Sequence, residues 1–222
     1  MSKAKGSIGS LRTELISKSK QAMLCAIKIY NDPLVTFKSE SFIVLSIIAW
    51  TYLLHAFYRG KGVDYRYHKL INKRRKFDRT SKGAFKFWEL ERCLNDDLCP
   101  IDSATKQNLR FLIGLRHEVE NQMAKGLDTY LSSRYQACAV NFNDALIALF
   151  GAEQRLDDHL AFSIQFAQLT PAQLEPVKPG RNVPQPVLKF ITDFDKQVPE
   201  EEFNSSKYAY RLLFTIDLCI TD

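Results

Sequence analysis

Residues 41–58 read SFIVLSIIAWTYLLHAFY, and no other segment restricts the fold as much. A run this apolar must leave water, either inside a protein core or inside a bilayer. Its length is at the lower limit for a membrane span, and Arg59 and Lys61 follow it directly. Ser46, Thr51 and His55 interrupt it, and no second span accompanies it. The expectation is therefore the central core helix of a bundle, about Ser39 to Tyr58, with no membrane as partner. His55 then reads as a hydrogen-bonded core histidine.

The flanking segments repeat the helical period. Leu11, Leu15, Met23, Ala26 and Ile27 mark a first helix from about Leu11 to Tyr30, which Asn31-Asp32-Pro33 stops. Asp102 or Ser103 can cap a helix that Gly126 ends. Tyr130, Leu131, Tyr135, Cys138, Phe142, Leu146 and Leu149 give a further helix, about Asp128 to Phe150, with Arg134 on its exposed flank. After Gly151 the character changes. Residues 159–166 fit strand or helix, prolines bracket a linker from Glu175 to Gln185, and Pro186 to Val198 reads as a short helix. Tyr208 to Ile220 alternates as a strand without an obvious partner. The expected organisation is a helical bundle over 1–150 and an α+β extension over 151–222 that ends as a truncated piece.

One segment stands apart electrostatically. Between Arg59 and Lys86 there are eleven Lys or Arg and two Asp, a net +9 in a chain whose total is +6, so the remainder is net −3. Tyr58, Tyr65, Tyr67, Phe77, Phe85 and Phe87 are interleaved with these cations. Rings among cations suit single-stranded RNA, with bases stacked on the rings and phosphates on the charges. The residues assigned to nucleic-acid binding are Arg66, Tyr67, Lys73, Arg74, Arg75, Lys76 and Arg79. A solvated basic loop, or one meeting an acidic protein, is the alternative. Val63–His68 and Lys76–Thr80 are expected to pair as a β-hairpin, with a short helix from Phe85 to Leu94 after it.

The second charged feature lies in Asn108–Met123, NLRFLIGLRHEVENQM. At about 100° per residue, Leu109, Leu112, Ile113, Val119 and Met123 all fall within roughly 60° of Arg116, which places the arginine at the centre of the apolar stripe. Glu120, His117 and Asn121 lie on one flank. A charge on such a face is costly unless paired or used. Two readings stay open: an Arg116–Glu120 ion pair at i,i+4, or a polar site at the edge of a helix–helix or subunit contact.

The helix with Arg116 and His117 resembles the signature helix of the HEPN superfamily, all-helical domains that include metal-independent RNases. Their motif is an arginine, a polar residue, three more residues and a histidine. AIKIYND (26–32), the apolar helix through Trp50, FWELERCLNDD (87–97) and IGLRHEVEN (113–121) resemble one bacterial domain-of-unknown-function family of HEPN type, over roughly residues 15 to 170. The resemblance implies a mainly α, HEPN-like bundle with a basic hairpin insert. It also implies RNA cleavage by attack of the 2′-OH on the adjacent phosphodiester, as an antiphage-defence or toxin effector. Arg116 would hold the scissile phosphate, and His117 and Glu120 would orient the groups. Dimerisation through this helix would join two motifs in one cleft, and the resemblance leaves room for a further defence-system partner.

The pattern departs at position 121, where asparagine stands for the motif's histidine. Asparagine holds a hydrogen bond but moves no proton, and losing that step costs about 10²–10⁴-fold. Asn121 therefore marks either an inactivated form, natural or introduced, or a protein in which His117 takes the base role. The competing functions are a non-catalytic nucleic-acid-binding module and a structural or interaction domain.

Five scattered cysteines and no secretory signal suggest reduced thiols in a cytoplasm. Cys93 and Cys99 are too widely spaced for the usual zinc pair, so neither a metal site nor a cofactor is expected.

Overall fold

The computed structural model describes residues 8–119, 130–156 and 183–210. The chain is mainly helical with one small antiparallel hairpin. Helix α1 (Ile8–Asn31) and helix α2 (Lys38–Gly60) form a helical hairpin. Pro33 cannot continue α1, and the Asp32 carboxylate takes up the exposed Leu34 amide at 2.9 Å. Ser19 Oγ donates to the Ala49 carbonyl at 2.9 Å, a link that a small residue on α1 allows.

α2 is the axis of the core, as its composition predicts. Phe42, Trp50, Leu53, Leu54 and Tyr58 are fully buried on it. It packs against α1, α3 (Leu90–Leu94), α4 (Ser103–Val119) and α5 (Ser132–Phe150). Tyr30, Phe42 and Tyr135 form a three-ring cluster with centroids 5.0–5.6 Å apart, and Trp50 meets Phe142 edge-on at 5.4 Å. α2 is long and apolar enough to cross a membrane, but 56% of its most apolar window is buried inside the protein.

The start of α4 is capped as expected: Asp102 accepts from the Thr105 amide at 3.0 Å. The end assigned to Gly126 lies outside the described residues. α5 closes at Gly151, whose φ of +104° takes the chain out of the helix. Residues 159–166 and most of the proline linker also lie outside the described residues. Helix α6 (Gln185–Gln197) falls where Pro186–Val198 was read as helical, and a short α7 (Glu200–Phe203) follows.

α6 packs on the side of α4 marked by Phe111 and Gly114. A methyl group on Gly114 would stand 2.6 Å from the Phe190 ring, so glycine is what lets α6 approach. Val187 and Ile191 join the same hydrophobic cluster as α2 and α4.

Two strand assignments need correction. Tyr208 and Ala209, read as the start of the terminal strand, lie in a turn closed by amide bonds to the Ser205 carbonyl at 3.1 and 3.3 Å. This turn delivers Tyr208 into the bundle, and residues 211–222 lie outside the described residues. The basic insert does form a hairpin, but its ladder lies closer to the turn than Val63–His68 with Lys76–Thr80, and of those segments His68 pairs with Phe77 and the Asp78 amide donates to the Tyr67 carbonyl at 2.8 Å. Strand β1 (His68–Ile71) pairs with β2 (Arg74–Phe77), register Lys69 with Lys76 and Ile71 with Arg74. Asn72 and Lys73 make the turn, both at positive φ (49° and 64°), where asparagine is among the few tolerated residues. Residues 65–67 also pair with a third segment: the Tyr67 amide donates to the Lys86 carbonyl and the Trp88 amide to the Tyr65 carbonyl, both at 2.9 Å. That pairing keeps residues 85–88 extended, so only Leu90–Leu94 of the expected Phe85–Leu94 helix is helical.

Candidate nucleic-acid interface and the end of helix α4

The seven insert residues assigned to nucleic-acid binding divide into two groups. Lys73, Arg74, Arg75 and Lys76 are exposed at the hairpin tip, and none makes an ion pair among the described residues. Lys69 is exposed across from Lys76. Leu70 and Ile71, beside them, are 71% and 48% exposed. The tip thus presents a dense cationic strip with uncovered aliphatic side chains, and such a strip attracts a polyanion.

The second group is engaged inside the protein. The half-buried Arg66 guanidinium stacks on Phe77 at 4.0 Å and Phe85 at 4.8 Å, and donates Nε and Nη2 to the two Asp64 oxygens at 2.8 and 2.7 Å. The Arg66 bond holds the Asp64 carboxyl below its ordinary value. Arg79 stacks on Phe85 at 3.9 Å and donates to the Gly83 carbonyl at 2.6 Å, although it remains exposed. The Tyr67 hydroxyl donates to Glu89, and burial, with that bond, pushes its pKa up to about 12.

The interleaved rings therefore mostly hold the insert together. Tyr58 and Tyr65 are buried, Tyr67, Phe77 and Phe85 are half-buried, and Phe87 at 49% exposure is the ring most open to solvent. The sequence pattern suggests rings that stack on bases, with Tyr67 assigned to that role. In the structure, a hairpin this small has no core of its own and uses Phe77 and Phe85 to anchor Arg66 and Arg79.

The His55 assignment holds. It is buried, its Nε2 lies 2.8 Å from the Trp88 carbonyl, and its ring stacks on Tyr65 with centroids 4.4 Å apart. Burial lowers its pKa against the opposing effect of the Trp88 bond.

Near the described end of α4, Arg116 is half-buried and His117 exposed, while Glu120 and Asn121 lie outside the described residues. The buried residues Ala104, Thr105, Asn108, Leu109, Phe111, Leu112, Leu115 and Val119 define the true inner arc. Its centre lies roughly 70° from Arg116 at about 100° per residue. Arg116 is thus on the margin of the buried face rather than at its centre. The sequence wheel was skewed by Ile113, which is apolar but only half-buried. α6 covers the opposite side, so Ile113 and His117 face the arc between these two packed surfaces.

Arg134 is a functional-looking residue that the sequence placed wrongly. It is buried rather than on an exposed flank. Its Nη2 contacts both Asp195 oxygens at 2.8 and 2.6 Å, and its guanidinium stacks 3.9 Å over Phe111 and 4.9 Å over Tyr208. Tyr208 also donates to Asp195 at 2.7 Å, and Asn108 donates to the Tyr208 carbonyl at 2.8 Å. The residues that make this node lie at Asp195 and Tyr208, 61 and 74 positions away, so no local pattern reveals it.

Comparison with known proteins gives a family. The sequence model of DUF3644, a domain of unknown function, matches residues 14–198. No curated protein and no solved structure matches the chain.

Proposed function

The chain belongs to the DUF3644 family, and from that premise we propose that it is an RNA-acting domain of HEPN type, held in the cytoplasm, whose basic hairpin grips RNA. The observation that carries this reading is the hairpin tip: Lys73 to Lys76 stand exposed and without ion pairs among the described residues on a β-ribbon, beside Lys69. A chain whose other residues sum to −3 has no solubility need for +9 in one arm.

The cleavage chemistry belongs, in this reading, to the end of α4. Arg116 at the margin of the buried face would hold a phosphodiester, and His117 beside it, with Glu120, would orient the reacting groups. The missing element is the proton carrier, because Asn121 has no useful pKa. This form is accordingly impaired, and a defence or toxin role attaches to the version with histidine at 121. Two copies meeting through the arc of Ile113 and His117 would pair the sites.

The test incubates the full chain and its Asn121→His variant with cellular RNA in the presence of chelator, with Arg116→Ala in the histidine background as control. Cutting by the histidine version alone, silenced by the control, is the expected result. Absence of Arg116-dependent cutting would sink the ribonuclease reading. Asn121 itself favours a second reading, a nucleic-acid-binding domain without cleavage. That reading predicts RNA binding by every version and cutting by none.

A further inference from the structure

At the foot of the hairpin, away from α4, a groove of about 750 Å³ opens between α1, α2 and the insert. Its floor is apolar, with Leu11 and Leu15 from α1 and Val63 from the insert. One wall is a shelf of rings. His55 stacks on Tyr65 at 4.4 Å with an interplanar angle of 22°, and Phe87 lies 5.5 Å from Tyr65 and 6.2 Å from His55. The His55 Nε2 donates to the Trp88 carbonyl, which leaves Nδ1 as an acceptor on that shelf. Tyr52 adds a phenol from α2.

The charges in the groove are unbalanced. Asp64 is neutralised by the bidentate grip of Arg66. Arg59, one helical turn after His55, has no carboxylate partner among the described residues. Its Nε is buried without a hydrogen-bond partner, and its polar neighbour is the Tyr65 phenol. A half-buried guanidinium that no carboxylate among the described residues neutralises, beside a shelf of aromatic rings, suits an anion attached to a flat ring. The volume is within the range of small-molecule pockets.

We propose that this groove is a nucleotide site, with Arg59 on the phosphate and the base against the exposed ring of Phe87. The nucleotide is either a free ribonucleoside monophosphate or one unstacked residue of an RNA strand lying along the hairpin. Only the second source rests on the RNA reading above, and neither requires cleavage at Arg116.

The experiment titrates the full chain with adenosine and uridine 5′-monophosphate and with a single-stranded octanucleotide RNA, and repeats each with Arg59→Gln and Phe87→Ala. Phe87 is 49% exposed, so its truncation spares the core and keeps the test valid if Arg59→Gln unfolds. Binding of the monophosphates that weakens about tenfold or more in Arg59→Gln supports a free-nucleotide site. Binding of RNA alone, weakened by both substitutions, supports a strand residue in the groove. If no monophosphate binds and RNA affinity ignores both substitutions, the proposal is overturned. Cleavage is not read, so failure here and failure of the ribonuclease reading remain separate.

Discussion

Two arginines of this chain keep the same chemical company in different surroundings. Arg134 lies over Phe111 and Tyr208 and is held by both oxygens of Asp195. Arg66 lies over Phe77 and Phe85 and is held by both oxygens of Asp64. The Arg134 side chain is 10% exposed, that of Arg66 32%. Arg134 ties α5 to α6 and to the turn at Tyr208, across long stretches of sequence. Arg66 is clipped to a carboxylate two residues before it and braces a surface ribbon. A stacked, paired arginine is therefore a structural device in both places. In the proposed reading, the cations that bind are the ones that lack such company, at the hairpin tip and at Arg59.

This contrast is broken most severely at Arg134. Arg134→Ala leaves Asp195 and Tyr208 without their cation in a largely closed site, and urea unfolding should show a loss of about 3–5 kcal/mol. Arg66→Ala removes a more exposed pair and two ring contacts, and should cost about 1 kcal/mol. Equal losses at the two sites would erase the distinction. Lys73→Gly sharpens it in the opposite direction. Glycine suits the left-handed turn better than lysine, so stability should rise by up to about 1 kcal/mol, while RNA binding weakens by the loss of one cation. A variant that gained both would contradict the division of labour within the arm.

Acid should act at the hairpin foot as well. The folded pKa of His55 lies below its ordinary 6.5. The unfolded chain then takes up the proton first as pH falls through that value. The contribution of His55 is complete above about pH 6.5 and is lost as pH drops toward its folded pKa. Thermal unfolding followed from pH 8 to 5 should fall more steeply for the native chain than for His55→Phe. Parallel curves would remove His55 from this role.

What the sequence disclosed, and what it hid, follows the range of the interactions. α1, α2, the Asp102 cap, α6 and the core role of His55 depend on local periodicity, capping and apolar content, and all were legible. The hairpin strands were placed too far from the turn because Asn72-Lys73 is a weaker turn signal than a glycine pair, while alternation at Tyr65 and Tyr67 drew the first strand too early. The ring-and-cation pattern was visible, but whether a ring meets a base or an arginine is decided by three-dimensional neighbours. The Arg134 node was invisible for the same reason. Arg116 stands out in the sequence, but its position on the margin of the buried face depends on which apolar residues are truly covered.

The most direct measurement is the affinity of single-stranded RNA for the chain as a function of salt, with and without the four charges of Lys73 to Lys76 replaced by glutamine. Each phosphate contact on a single strand contributes a slope of about 0.7 in log affinity against log salt. The account predicts a steep slope for the native chain and a decrease of about 2–3 in the variant, with thermal stability nearly unchanged. A slope that stays the same when these charges are removed would contradict the assignment of the hairpin as the RNA grip.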